Sequence, residues 1–183
     1  MHEQQQAESI ESGIAAQSHG IREVRHGFRL GDCPLLLPGG TFSELTSQAR
    51  ICTLPDTPQW FAGYINHRGH TVPVFDLQPL LGGPALDARQ RYWILLIDRQ
   101  PRTAGLLLRQ FPQVLNDPAP ARREPITGVP EVLRPFLQAA CLHQGECWHE
   151  LDHRALLGYL KRIFHRSDLP AGGDTANDND REL

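Results

Sequence analysis

The chain divides its apolar residues into short runs, and most of the breaks between them carry Gly or Pro. FRL at 28–30 and LLL at 35–37 flank Gly31-Asp32-Cys33-Pro34, a composition that favours a tight reversal and predicts an opening hairpin. WFAGYIN and TVPVF flank His67-Arg68-Gly69-His70, where Gly69 can supply the positive φ of a type II turn or a bulged hairpin. Pro73 has no N–H to donate, so its strand is expected at a sheet edge or a bulge. RYWILLID at 91–98 and AGLLLRQ at 104–110 are joined by Arg99-Gln100-Pro101-Arg102-Thr103, and their continuous apolar runs predict strands covered on both faces. LQAACLH and ECWHELD form a last pair that turns near Gln144-Gly145.

Helical signals are fewer. DHRALLGYLKRIFHR offers Asp152 as N-cap and places Leu156, Leu160, Ile163 and Phe164 at helical spacing, with Gly158 a slight weakness. Pro130 followed by EVLRPFL permits a turn or two. Several short strands arriving as hairpins predict small antiparallel barrels or a sandwich. Residues 1–23 and 167–183 are poor in large apolar groups and cannot offset the entropy of ordering, so they are expected as disordered tails around one domain at 24–166.

Composition narrows the partner classes. An apolar share of 40% over 183 residues supports a buried core. Eighteen Lys and Arg against twenty-one Asp and Glu leave a net charge of -3, which argues against a nucleic-acid partner. No run approaches the ~18 apolar residues of a spanning helix, and no basic region precedes an apolar one at the start, so a cytoplasmic protein without membrane insertion is expected. Cys33, Cys52, Cys141 and Cys147 form no CxxC pair and read as free thiols.

GxSxG, Walker A and GxGxxG motifs are absent, which disfavours an enzyme, and HExxH occurs once, as His149-Glu150-Leu151-Asp152-His153. The main chemical alternative is a small zinc protein or enzyme on the hairpin at 141–153, where Cys141, His143, Cys147, His149 and His153 crowd together. A three-residue turn at Gln144–Glu146 would put four of these ligands on one face; a two-residue turn would divide them between two. Asp76 and Asp98 each close an apolar run and read as strand terminators rather than acid–base groups. Arg122-Arg123, in a Pro-rich loop, reads as solvated, and Trp60, Trp93 and Trp148 read as core. Arg68 stands apart: a hairpin tip needs no arginine, whereas a guanidinium beside a glycine can meet a partner's carboxylate or backbone with its planar fork.

The stretch 58–82 resembles the CheW-like family of chemosensory adaptors. The matching residues are Pro58, Trp60, Gly63, Asn66, Arg68, Gly69, Val72, Pro73, Val74, Asp76, Leu77, Leu81 and Gly82. FRLG at 28–31 resembles the family's first strand, Glu44-Leu45 stands in the place of its E-V pair, and Ile94–Asp98 with Gly105-Leu106-Leu107 resembles its next hairpin. The likeness runs over about 24–164. One departure is Leu108-Arg109-Gln110-Phe111, where the family often has V-D-x-V. The final hairpin is more similar to the pilus-linked, PilI-like adaptors than to those of flagellar systems.

The resemblance implies a mainly β fold, two packed five-stranded SH3-like barrels with a C-terminal helix, without catalysis, cofactor or metal. It implies two partners, the regulatory domain of a CheA-type histidine kinase and the cytoplasmic tip of a methyl-accepting chemoreceptor, in chemotaxis or type IV pilus motility. Carried over as partner-binding positions are Gly63, Asn66, Arg68, Gly69 and Glu44. Gly69 would allow the sharp turn, Asn66 would bond the loop backbone, Gly63 would let neighbouring chains approach closely, and Arg68 would make the charged contact.

Overall fold

The structure, a computed structural model, describes residues 24–47, 49–87, 89–116, 119–120 and 128–167. The expectations for the two tails and for Arg122-Arg123 therefore lie outside the described residues, apart from Ser167, which ends the C-terminal helix.

Two sheets share the chain unequally. The first contains β1 (Val24–Leu30), β2 (Cys33–Leu36), β8 (Gln113–Asn116), β9 (Ala119–Pro120), β10 (Leu137–His143) and β11 (Glu146–Leu151), in the order β8-β1-β2-β11-β10-β9. The second contains β3 (Ser43–Ser47), β4 (Phe61–His67), β5 (His70–Phe75), β6 (Trp93–Ile97) and β7 (Ala104–Leu108), in the order β3-β6-β7-β5-β4. Short 3-10 turns occupy Pro79–Leu81 and Glu131–Phe136, and among the described residues one α-helix, α1, covers His153–Ser167. The class is the mainly β one expected, with a C-terminal helix; the sixth strand of the first sheet is the two-residue β9.

All four hairpins form where Gly and Pro punctuate the apolar runs. The expectation of purely antiparallel pairing is corrected at two places: β2 runs parallel to β11, and β5 parallel to β7. Neither pair is joined by a hairpin, and strands brought together by a long crossover are free to run the same way. Pro73, expected at an edge or a bulge, lies off the edge, in a strand whose pairing with β4 shifts register between Phe61 and Gly63. β5 is an interior strand, but its pairs with β7 are Val74–Gly105 and Phe75–Leu106, so they begin just after Pro73, and the missing N–H costs no ladder bond there.

The continuous core lies between the sheets. Phe28 and Leu35 from the first, with Leu37 just after β2, meet Phe75, Leu95, Leu106 and Leu108 from the second and Trp60 just before β4. α1 seals this layer with Leu156 and Leu160, each worth about 1.5–3 kcal/mol by area removed from water. Asp152 caps it as expected, its Oδ1 accepting the Ala155 N–H at 2.9 Å. Phe164 extends the seal onto the Phe61 and Trp60 rings, at centroid distances of 4.8 and 6.1 Å. Each sheet also has its own interior: Ile65, Val72, Val74, Ile94, Leu96 and Leu107 in the second, and Leu36, Leu115, Cys141 and Trp148 in the first. β7 is buried throughout and β6 from Ile94 onward, which agrees with strands covered on both faces. Trp60 and Trp148 are core; Trp93 is half-buried. No helix among the described residues is long and apolar enough to cross a membrane.

Candidate functional site

The turn between β4 and β5 is two residues long, Arg68 and Gly69, with φ of +52° and +82°. Two successive positive φ values match the twist of an antiparallel pair, which is why such turns favour Gly, Asn and Asp. Gly69 fits without strain. An arginine in this region costs about 1–2 kcal/mol, and Asn66 offsets part of that by accepting the Gly69 N–H on Oδ1 at 3.1 Å. The backbone thus holds Arg68 outward in one shape, and its side chain is 71% exposed.

Glu44 completes the arrangement. Its Oε1 accepts a bond from Arg68 Nη2 at 2.8 Å, and its Oε2 lies 3.6 Å from His67 Nε2. β3 and β4 are opposite edges of the five-stranded sheet, so a contact between Glu44 and the end of β4 requires the sheet to curl towards closure. Cys52 adds a second link, an isolated bridge to Tyr64 with bonds of 2.7 and 2.9 Å. An exposed ion pair of this kind contributes only ~0–1 kcal/mol to stability. Its effect is to aim the guanidinium while most of its surface stays open to another molecule.

Gly63 does admit a close neighbour, and that neighbour belongs to its own chain. At φ +127°, a Cβ built on Gly63 would sit 2.2 Å from the Cys52 carbonyl oxygen. Gly63 therefore supports the root of the turn, whereas Asn66, Gly69, Arg68 and Glu44 form its tip.

Beside Arg68 a cleft of about 300 Å³ is walled by Phe42, Glu44, His67, Asp98 and Arg99 among others. Arg99 lies over the Phe42 ring at 4.1 Å from its centroid. Sequence reasoning did not single out either residue, since neither is marked by spacing or neighbours. The two carboxylates read as strand terminators are both engaged in the fold. Asp76 is buried and accepts the N–H groups of Gln78 at 3.1 Å and Leu86 at 2.7 Å, with Arg109 Nη2 at 3.4 Å. Asp98 Oδ2 meets His153 Nε2 at 3.2 Å, joining the end of β6 to the start of α1.

The divergent segment does not prolong β7. Leu108 is its last, buried residue, Arg109 turns in to the Pro84 carbonyl at 2.6 Å, and Phe111 is 64% exposed with its ring edge-on to Trp93.

The zinc alternative meets a direct obstacle. The β10–β11 turn holds only Gln144 and Gly145, so His143 faces Glu146, Leu142 faces Cys147, Cys141 faces Trp148 and Ala140 faces His149. Cys141 and His143 then point to one side of the sheet and Cys147 and His149 to the other. Among the described residues no group of three or more His, Cys, Asp or Glu is placed to hold a metal ion. Burial pushes the Cys33 thiol up to about 11 despite the nearby Arg29 charge, and burial pushes the His149 imidazole below its usual value.

The CheW-like domain model matches residues 26–161. A probable chemotaxis protein CheW of Rhizobium etli is 26% identical over 103 residues, 56% of this chain and 66% of that protein. The protein FrzA of Myxococcus xanthus is 32% identical over 83 residues, 44% of this chain and 51% of FrzA. The chain thus spans about half to two thirds of the length of these curated relatives. Among solved structures, the scaffolding protein TtCheW of Thermoanaerobacter tengcongensis superposes with a TM-score of 0.55 at 19% identity, over 72% of this chain and 89% of that one.

Proposed function

The chain belongs to the CheW-like domain family, and from that premise we propose that it is a non-enzymatic cytoplasmic adaptor that couples methyl-accepting chemoreceptors to a CheA-type histidine kinase. The observation that carries this reading is the family match over 26–161, which includes both sheets and the Arg68 turn. The output it serves is chemotaxis or type IV pilus motility; the likeness to FrzA and to chemotaxis CheW proteins supports a chemosensory role of that kind.

The docking element we assign is the turn itself. Asn66 and Gly69 fix its backbone, Glu44 orients the guanidinium, and Arg68 offers the remaining donors to a carboxylate or a carbonyl of the partner. A rigid two-residue turn loses little freedom on binding, so more of each contact is retained as affinity. Such an adaptor works by position alone: it holds two proteins at a fixed separation and transforms neither.

Binding of the kinase regulatory domain and of a receptor-tip fragment to Arg68→Ala, measured by calorimetry, tests the assignment. A loss of ~1–3 kcal/mol towards at least one partner is expected, the range for a hydrogen bond to a charged group. Thermal unfolding should stay close to wild type, because the ion pair is exposed. A folded variant with unchanged affinity for both partners sinks the assignment.

A further inference from the structure

The loop between β6 and β7 brings Arg99 and Arg102 out beside the Arg68 turn. Two adjoining clefts, of about 300 and 370 Å³, share Phe42, Asp98, Arg99 and Gln100 as walls. The first opens towards Arg68 and Glu44, the second towards Arg102 and Arg154. Together they form one groove from the β4–β5 turn to the start of α1.

Its charge runs against that of the whole chain. The protein carries -3 overall, yet Arg68, Arg99, Arg102 and Arg154 line the groove against two carboxylates, Glu44 and Asp98. Both carboxylates are already engaged, Glu44 by Arg68 and His67, Asp98 by His153 and Arg154. Among the described residues neither Arg99 nor Arg102 has a carboxylate within ion-pairing distance. Arg99 is held by its stack on Phe42, and Phe42 itself stays 39% exposed. A guanidinium stacked on a ring keeps its edge donors free for a bidentate anion.

We propose that this groove accepts an acidic segment of a partner protein, its carboxylates bound by Arg99 and Arg102 and an apolar side chain seated on the open part of Phe42. The proposal rests on the adaptor reading and extends it from the Arg68 tip to a second set of contacts. A protein segment suits the groove better than a nucleic acid does. Glu44 and Asp98 repel the dense charge of a phosphate backbone, whereas carboxylates spaced along a peptide can meet the arginines and avoid them; the phenyl ring rewards an apolar neighbour.

The probe is a fluorescein-labelled, end-blocked peptide of Glu, Ala and a single Leu, with a second peptide carrying Lys in place of Glu. Anisotropy is measured against the full chain and its Arg99→Glu/Arg102→Glu variant, whose substitutions lie in an exposed loop. The expected result is binding of the acidic peptide alone, weakened about tenfold or more by the double substitution and weakened by salt. Equal binding by wild type and variant overturns the proposal, as does equal binding of the Lys peptide. Tighter competition by inorganic phosphate or a single-stranded oligonucleotide overturns the assignment to an acidic protein segment. Capture of kinase and receptor by the same proteins separates this claim from the adaptor reading. Wild-type capture by the double variant removes the groove and leaves the adaptor standing; acidic-peptide binding without capture of either partner does the reverse.

Discussion

Gly63→Ala is the substitution through which the architecture of the β4–β5 turn can be measured. The residue sits at φ +127°, far from the region an L side chain adopts, and imposing a Cβ there costs about 1–3 kcal/mol of backbone strain. The added carbon would also lie 2.2 Å from the Cys52 carbonyl oxygen and 2.9 Å from its carbonyl carbon, so backbone rather than a flexible side chain must yield. Moving that segment breaks the two bonds between Cys52 and Tyr64, worth about 0.5–1.5 kcal/mol each. The combined loss is about 2–6 kcal/mol, a large part of the ~5–15 kcal/mol a domain has. Gly69→Ala is the internal control, since at φ +82° nothing lies within 4 Å of its Cβ and only a strain of about 1 kcal/mol is added. Urea unfolding of both variants reads the difference: with a slope near ~2 kcal/mol/M, Gly63→Ala should lower the midpoint by roughly 1.5 M and Gly69→Ala by about 0.5 M. Equal midpoints for the two, or a loss below about 1 kcal/mol for Gly63→Ala, would falsify the reasoning that a close backbone approach demands glycine there.

Three other outcomes are expected. Asp76→Ala leaves two half-buried N–H groups without their acceptor, and a loss of about 2–4 kcal/mol in chemical unfolding is expected, with faster hydrogen exchange at Gln78 and Leu86; native exchange rates at those two amides would contradict the role given to Asp76. Thiol labelling of the native protein at mildly alkaline pH should modify exposed Cys52 quickly and buried Cys33 only after unfolding, since burial holds Cys33 protonated up to about 11. The buried His149 is harder to protonate in the folded state than in the unfolded one, so its contribution is complete above the unfolded value of ~6.5 and is lost as pH falls below it; the stability difference between wild type and His149→Gln should narrow or reverse over that window, and a pH-independent difference excludes the effect.

Turn chemistry made the four hairpins legible, because Gly and Pro mark the reversals and each flanking run is apolar on at least one face. Pairing between distant strands was not. Parallel contact of β2 with β11, and of β5 with β7, depends on how two hairpins dock rather than on any local pattern. β3 and β8 escaped notice since SELTS and QVLN carry neither a strict alternation nor a long apolar run. Around the β4–β5 turn, all five carried-over positions could be named from the resemblance, but the Arg68–Glu44 bond spans 24 residues and required the sheet to curl. The β10–β11 ligand question turned on a single residue of loop length, which sequence left open and the positive φ of both Gln144 and Gly145 decides. Arg99 stacked on Phe42 had no local sign at all.

The division of the first sheet between the two ends of the chain has a consequence for biosynthesis. The second sheet is encoded without interruption from Ser43 to Leu108 and can condense once that stretch has left the ribosome. β2 must instead wait for β11, made more than a hundred residues later, and until then it offers an unpaired flank to other chains. β2 is thus made before the second sheet and enclosed after it, and that interval is when a chaperone has most to protect.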